Sequence, residues 1–364
     1  MTINERLNLI KQVGEEIVSE DELVNLLSSG KALYAYDGFE PSGKIHIAQG
    51  LIRAINVNKI TEAGLTFKML IADWHAAANH KFGGDLAKIK LAGQYFEEVW
   101  RVSGMNLDKV QFVYDSDLKH SEGYWDLVLK ISTILNLPRV LRTTQIMGRA
   151  ENDSLTASQI LYPLMQATDI FKLGVDICQL GMDQRKVNML AREIAEELGF
   201  KKPVVVSHHM LQGLLSPTNT PLINTKEENK IDRSIRLKMS KSNPSSAIFM
   251  TDSVDEVNKK IANAWCPEGI ALENPILEYC KYLVFAKEGK MLIKRLLKFG
   301  GDIEYTNYND LEKDFINKKL FPLDLKNSLA EYINTYLQPI RVHFTENTTA
   351  RTLKEKIESF AVSR

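Results

Sequence analysis

Two segments far apart in the chain carry residue types suited to one task. Lys238-Met239-Ser240-Lys241-Ser242 sets two ammonium groups among hydroxyls on a polar stretch, where they can meet the charge of a triphosphate. Tyr36-Asp37-Gly38-Phe39-Glu40-Pro41-Ser42-Gly43-Lys44-Ile45-His46-Ile47-Ala48-Gln49 reads as a strand that turns at Pro-Ser-Gly and opens a helix. The unpaired N–H groups and partial positive charge of a helix N-terminus attract anions. Gly43 would let the backbone approach closely, and His46, one turn into that helix, could hydrogen-bond to phosphate oxygens. The two segments could thus hold one triphosphate from two sides. Alone, each is also explained by a basic surface loop or an ordinary strand–turn–helix.

Between them lies Tyr162-Pro163-Leu164-Met165-Gln166-Ala167-Thr168-Asp169. On a helix, Tyr162, Gln166 and Asp169 stand at i, i+4 and i+7 and share one face. Such a stripe in an apolar stretch either meets a polar ligand or is the solvated face of an amphipathic helix. His75 and His80 lack helical metal spacing and an adjacent ligating acid, so no protein-bound metal is expected. His208-His209 reads as a structural or ribose-side pair.

These segments need elements to position them. Short apolar runs at 32–39, 67–74, 110–114, 174–180 and 203–208 read as buried strands. Helical periodicity fills 45–63, 86–103, 123–135 and 184–198, and the first eighteen residues read as an amphipathic helix. Alternation of this kind predicts an α/β fold, a Rossmann-type parallel sheet covered on both faces, with ligands beyond the carboxyl ends of the strands. From residue 253 the strand-like runs give way to helical ones, including 289–297, which predicts a smaller, all-helical second domain. The boundaries expected are 1–236, a loop at 237–252 and 253–364, with 217–236 as a mobile connection.

Composition excludes several classes. The 364 residues are 44% hydrophobic and 25% charged, with zero formal net charge, which fits a globular protein and disfavours indiscriminate polyanion binding. Six basic residues against one acid between Lys281 and Lys298 form a local patch, either a solvated face or a phosphate-contact surface. Three cysteines without paired spacing suggest a reducing compartment. No apolar run reaches the roughly 18–20 residues that span a bilayer, and the N-terminal segment is not a targeting peptide. A cytoplasmic location without membrane contact is expected.

The first two segments resemble the paired ATP motifs of class I aminoacyl-tRNA synthetases. The residues between them resemble the tyrosine-specific members of archaeal and eukaryotic type, which share the Tyr-Pro-x-x-Gln-x-x-Asp pattern. The resemblance covers nearly the whole chain. It implies ATP as substrate with magnesium on the nucleotide, L-tyrosine and tRNA(Tyr) as partners, and a homodimer. Catalysis would fall to His46, Gln49, Lys238 and Lys241, with Gly43, Asp183 and Ser240 also at the nucleotide. Ala48 and Gln49 depart from the family's His-Ile-Gly-His, and Gln49 cannot become a cation. Tyr162 and Gln166 would hold the α-ammonium, Tyr36 and Asp169 the phenol hydroxyl, and Gln184 the amino-acid backbone, with Glu40 and His75 lining the site.

For tRNA, the resemblance assigns Arg185, Lys186 and Met189 to a C1–G72 first pair, and Phe299 and Asp324 to the wobble guanine. Phe321 stands where the family often has His. Three rivals remain. A tryptophanyl-tRNA synthetase shares the fold, but would leave Tyr36 and Asp169 without a phenol. A small adenylyltransferase would lack the second domain. A synthetase-derived RNA-binding protein would not need the residues of the first.

Overall fold

Strand β2 (Tyr34–Phe39) lies inside a six-stranded sheet, flanked by β3 (Thr66–Ile71) and β5 (Ile177–Cys178). The sheet order is β1-β6-β5-β2-β3-β4, completed by β1 (Glu16–Val18), β4 (Val110–Tyr114) and β6 (Val204–Ser207). All pairings are parallel except β1 with β6. The computed structural model describes residues 1–148, 154–217, 230–241 and 243–360. The five strands read from the sequence are present. The unexpected one is β1: the first helix ends at Lys11, and the β-branched Ile17 and Val18 then pair with Val206 and Val205. The chain runs outward through β2, β3 and β4, then returns to lay β5 and β6 on the other side. Order therefore reverses between β2 and β5, where parallel sheets open a crevice at their carboxyl ends.

After β2 the turn needs Gly43 at φ +97°, a left-handed backbone that favours glycine. His46 then pairs in an isolated bridge with Phe249, and helical backbone begins with a wide turn at Ala48–Ile52 before Arg53–Glu62. His46 thus precedes the helix instead of lying one turn inside it. Its carbonyl accepts from the N–H groups of Gln49 and Gly50 at 2.9 and 3.0 Å. The polar stripe rides on the helix Ala157–Lys172, which Thr156 and Gln159 start with a capping box.

The C-terminal region is mainly helical: Val254–Asn263, Tyr308–Ile316, the long Pro322–Glu346 and Thr348–Ser359. The helix expected at 289–297 is instead a hairpin of β7 (Met291–Ile293) and β8 (Ile303–Tyr305). Gly289 at φ +72° ends the preceding helical turn, and the buried Met291 and Ile293 follow a period of two. This region packs on the first through His343, 2.8 Å from Glu98, and Phe344, whose ring centroid is 5.5 Å from that of Tyr95. Most of the connection expected at 217–236 lies outside the described residues; its last part is the helix Lys230–Leu237. Among the described residues, no helix is long and apolar enough to cross a membrane.

Candidate active site

A cavity of about 290 Å³ opens where β2 and β5 end, at the reversal of strand order. It collects Tyr36, Glu40, His46, Gln49, His75, Tyr162, Gln166, Asp169, Asp183, Gln184 and Lys238 from segments up to two hundred positions apart. The stripe on the Ala157–Lys172 helix faces inward: Tyr162, Gln166 and Asp169 are all buried. A solvated outer face is therefore ruled out.

At the deep end, Asp169 Oδ2 accepts from His75 Nε2 and Oδ1 from Tyr124 Oη, each at 2.6 Å. Tyr36 Oη is buried, and among the described residues it has no hydrogen bond within the usual geometry, with the Gln166 side chain near it. Burial, with the nearby Cys178, Asp169 and Asp37, keeps the Tyr36 phenol protonated far above its ordinary range. Asp169 behaves oppositely. Burial alone would raise its pKa, but the Lys119 ammonium, His75 and Tyr124 hold it below the usual carboxylate range. The deep end thus presents one ionised acceptor and one buried hydroxyl with a proton to donate, an arrangement suited to a buried O–H group.

Nearer the mouth, Tyr162 Oη donates to Glu40 Oε1 at 2.8 Å, and Asn79 Nδ2 donates to both Glu40 oxygens at 3.1 and 3.2 Å. Gln184 Nε2 is fixed on the Ile146 carbonyl at 3.1 Å, and its Oε1 accepts from Gln166 Nε2 at 3.2 Å. That leaves Gln166 Oε1 buried and without a hydrogen bond among the described residues. Oxygens dominate this stretch, as an ammonium ligand requires.

The third wall suits phosphate. His46 is buried, and desolvation with the charges of Lys241 and Lys238 holds its pKa well below the ordinary histidine value, so the ring is a neutral donor. Lys238 Nζ reaches the cavity but is paired with Asp183 Oδ2 at 2.6 Å. Lys241 is not brought to this wall. It lines a neighbouring cavity, its ammonium 3.2 Å from Ser42 Oγ and 4.5 Å from the Phe96 ring centroid. Burial of that ammonium and the nearby Lys81 push its pKa down to about 7, though the side chain as a whole is half-buried. Ser42 lines both cavities, whereas Gly43 lines neither. Ser240 is half-buried beside Lys241, and Ser242 lies outside the described residues.

Sequence reasoning missed Lys119, Asp115 and Tyr124, which surround Asp169. Asp115 and Lys119, at i and i+4, follow directly on the carboxyl end of β4, the one signal that could have found them. It also missed that His75 does meet acids: Asp115 and Asp169 offer it ligand atoms within 4.8 Å. The place a cation would take in that group is filled by the Lys119 ammonium, paired with Asp115 and 3.6 Å from Asp169.

His208-His209 divides by role. His208 Nδ1 lies 3.1 Å from both Arg53 and Gln179, and burial with the Arg53 charge keeps it neutral. His209 stacks on Tyr282 between Glu15 and Glu278, each 3.2 Å away; burial opposes its charge, but the two carboxylates raise its pKa to about 9. A raised folded-state pKa stabilises fully below the ordinary value near 6.5 and fades as pH climbs through about 9. His209→Asn should therefore lower the melting temperature clearly at pH 6 and little above pH 9.

A family model described as "tRNA synthetases class I (W and Y)" matches residues 28–219 and 231–338. "Tyrosine--tRNA ligase 1, cytoplasmic" of Arabidopsis thaliana is 46% identical over 100% of this chain and 90% of its own. A tyrosyl-tRNA synthetase from Pyrococcus horikoshii, solved with L-tyrosine, superposes with a TM-score of 0.90 at 39% identity, covering 98% of this chain and 100% of that one. The chain belongs to the tyrosine–tRNA ligase family of class I synthetases. A tryptophanyl-tRNA synthetase from Aeropyrum pernix superposes at 0.68 with 17% identity over 98% of this chain and 93% of that one, a likeness of fold alone.

In this family member, the residues assigned to tRNA lie apart from the cavity. Arg185 is tied to Glu16 of β1 at 2.7 Å, Lys186 to Gln145, and Met189 is half-buried along the same helix, Arg185–Ile194. Phe299 is 52% exposed in the turn between β7 and β8, with Lys298 Nζ 4.9 Å from its ring centroid. The hairpin sits on the start of the Pro322–Glu346 helix, Lys294 N–H donating to Ser328 Oγ at 3.0 Å. Asp324 is one turn before Ser328 on that helix, half-buried and without a hydrogen bond or ion pair among the described residues. Within the basic patch Lys287 pairs with Glu288, Lys290 with Glu304 and Lys294 with Glu331, all at the surface.

Proposed function

We propose that this tyrosine–tRNA ligase activates L-tyrosine with ATP and charges tRNA(Tyr) through the side chains assembled around the cavity. The reading is carried by the deep end, where ionised Asp169 and the buried Tyr36 hydroxyl face one cavity. A phenol hydroxyl donates to the first and accepts from the second. An indole N–H could serve Asp169 but would leave Tyr36 unpaired, which disfavours tryptophan. The α-ammonium donates to Gln166 Oε1 and Tyr162 Oη, with Glu40 supplying the balancing charge and Gln184 steadying the amide. His75 packs edge-on against Tyr162, ring centroids 4.3 Å apart, and so keeps both ends in register.

In the first step a tyrosine carboxylate oxygen bonds to the α-phosphorus of ATP, and the bond from that phosphorus to the bridging oxygen breaks, releasing pyrophosphate. His46 and Gln49 donate to phosphate oxygens, and Lys238 and Lys241 meet the charge that grows on the departing group. Lys238 would exchange Asp183 for phosphate, freeing Asp183 for the ribose. In the second step the terminal ribose hydroxyl of tRNA attacks the tyrosyl carbonyl and AMP leaves. Positioning and charge carry both steps. The phosphate wall offers histidine and lysine, not an acidic pair, so magnesium would be held by the nucleotide's own oxygens.

The functional division follows the sequence boundaries, 1–236 for activation, 237–252 for the lysine loop and 253–364 for the anticodon. Arg185, Lys186 and Met189 meet the first base pair of the acceptor stem. A cytoplasmic homodimer fits the family. The test of the whole reading is charging: purified protein should attach labelled tyrosine to tRNA(Tyr), and failure to charge any tyrosine tRNA would overturn it.

For the anticodon, Phe299 stacks on the wobble base while Asp324 accepts from guanine's Watson–Crick edge. Stacking is worth about 1–3 kcal/mol per base and tolerates any base. Phe299→Ala should weaken charging of guanine- and cytosine-wobble tRNAs alike. Asp324→Ala should lose only the guanine preference, with tyrosine-dependent pyrophosphate exchange intact. A charging loss that tracks a lowered melting temperature and ignores the wobble base would reduce Asp324 to an acid near a helix N-terminus.

A further inference from the structure

Behind the deep end of the cavity lies a layer that substrate cannot reach. The side chains of Lys119, Asp115 and Asp169 have no solvent exposure, and that of His75 has 2%. Of the two carboxylates only Asp169 lines the cavity; Lys119 and Asp115 stand behind it. The Lys119 ammonium pairs with Asp115 Oδ1 and lies 3.6 Å from Asp169 Oδ1, and it is 5.1 Å from the Tyr124 ring centroid. Asp115 Oδ2 in turn lies 3.8 Å from His75 Nε2, the atom that donates to Asp169.

Stability is a poor explanation for such a group. Desolvating an ammonium and two carboxylates costs more than their attraction commonly returns, and apolar residues of similar volume do as well or better. What the group does achieve is a definite charge on Asp169. Two buried carboxylates this close cannot both stay ionised unless a cation stands with them. A carboxyl that kept its proton would be a donor as well as an acceptor, and would no longer select a ligand for having an O–H.

We propose that Lys119, braced by Asp115, is a positioning residue for tyrosine specificity, holding Asp169 as an ionised, acceptor-only carboxylate aimed at the phenol hydroxyl. This rests on the reading of Asp169 as the phenol's acceptor. Protonation follows the same division of labour. Burial and the neighbouring Asp169 raise Asp115 to about 6, while Lys119, His75 and Tyr124 outweigh burial at Asp169 and lower it. On acidification the first proton goes to Asp115, which leaves the ammonium to Asp169 alone. Tyrosine recognition is thereby protected on the acid side of neutrality.

The test is tyrosine- and phenylalanine-dependent ATP–pyrophosphate exchange by Lys119→Met, by Lys119→Met with Asp115→Asn, and by Asp169→Asn. Lys119→Met leaves Asp115 buried without its cation and so risks unfolding; the double variant removes both charges and regains melting temperature. In the double variant the tyrosine-over-phenylalanine ratio should still fall about tenfold, the usual gap between a charged and a neutral acceptor. The loss should appear in the KM for tyrosine, with the phenylalanine KM and kcat unchanged. That KM should recover as pH rises from 6 to 9 and Asp169 ionises unaided, a response the parent lacks. A double variant with parental discrimination, or a tyrosine KM indifferent to pH, would show the pair to be structural only. If Asp169→Asn loses discrimination while the Lys119 variants keep it, Lys119 alone is misassigned. If Asp169→Asn keeps it too, the phenol reading itself falls.

Discussion

Asp169→Ala should erase most of the preference for tyrosine over phenylalanine in pyrophosphate exchange. The loss should come through tyrosine, because phenylalanine never used the carboxylate. Sites built around a substrate hydroxyl reject the analogue lacking it by about 10⁴–10⁵, and this enzyme class is itself the standard example of that magnitude, which is borrowed and not a result of the geometry. The geometry supplies the reason: phenylalanine brings no O–H for Asp169 to accept from and no oxygen for Tyr36 Oη to donate to. The variant also leaves Lys119 and Tyr124 without their shared acceptor, so its melting temperature should fall. A variant that rejects phenylalanine as strongly as the parent would take Asp169 out of the phenol site.

Lys241→Ala should lower kcat for adenylate formation by about 10²–10³, the usual cost of removing one group that meets developing charge, and leave tyrosine affinity alone. The charge it serves appears only as pyrophosphate departs, so ground-state binding does not register it. The structure adds a condition. With its ammonium against Phe96 and Ser42, Lys241 must leave that position to serve, whereas Lys238 already lines the cavity. Phe96→Leu, which weakens the resting contact without touching the cavity, should change the exchange rate in far smaller measure. Equal losses in tyrosine affinity and turnover for Lys241→Ala would remove it from catalysis.

How far the sequence went depends on whether the partners were local. Tyr162, Gln166 and Asp169 were legible because helical spacing alone puts them on one face, and the structure turns that face inward. The parallel sheet was legible because apolar runs alternated with amphipathic ones. His46 was placed one turn too deep, because nothing local marks where a helix starts once the chain has bridged to Phe249, two hundred positions on. The stretch 289–297, which holds the first arm of the hairpin, reads as a helix because lysines and leucines suit either period; the glycines at 289, 300 and 301, all with positive φ, decide otherwise. Lys119, Asp115 and Tyr124 escape the sequence for a different reason: apart from the place of Asp115 and Lys119 at the end of β4, nothing local marks them. Their partnership with one another shows when Asp169, some fifty positions later, is folded against them.

On this proposal one cavity joins a phenol-reading floor to a phosphate-reading wall. Amino-acid-dependent ATP–pyrophosphate exchange, run with purified protein and no tRNA against tyrosine, phenylalanine and tryptophan, tests it most directly. Exchange with tyrosine, none above background with tryptophan, and only a trace with phenylalanine is the predicted result. Exchange that tryptophan drives as well as tyrosine, or that no amino acid drives while ATP still binds, would contradict it.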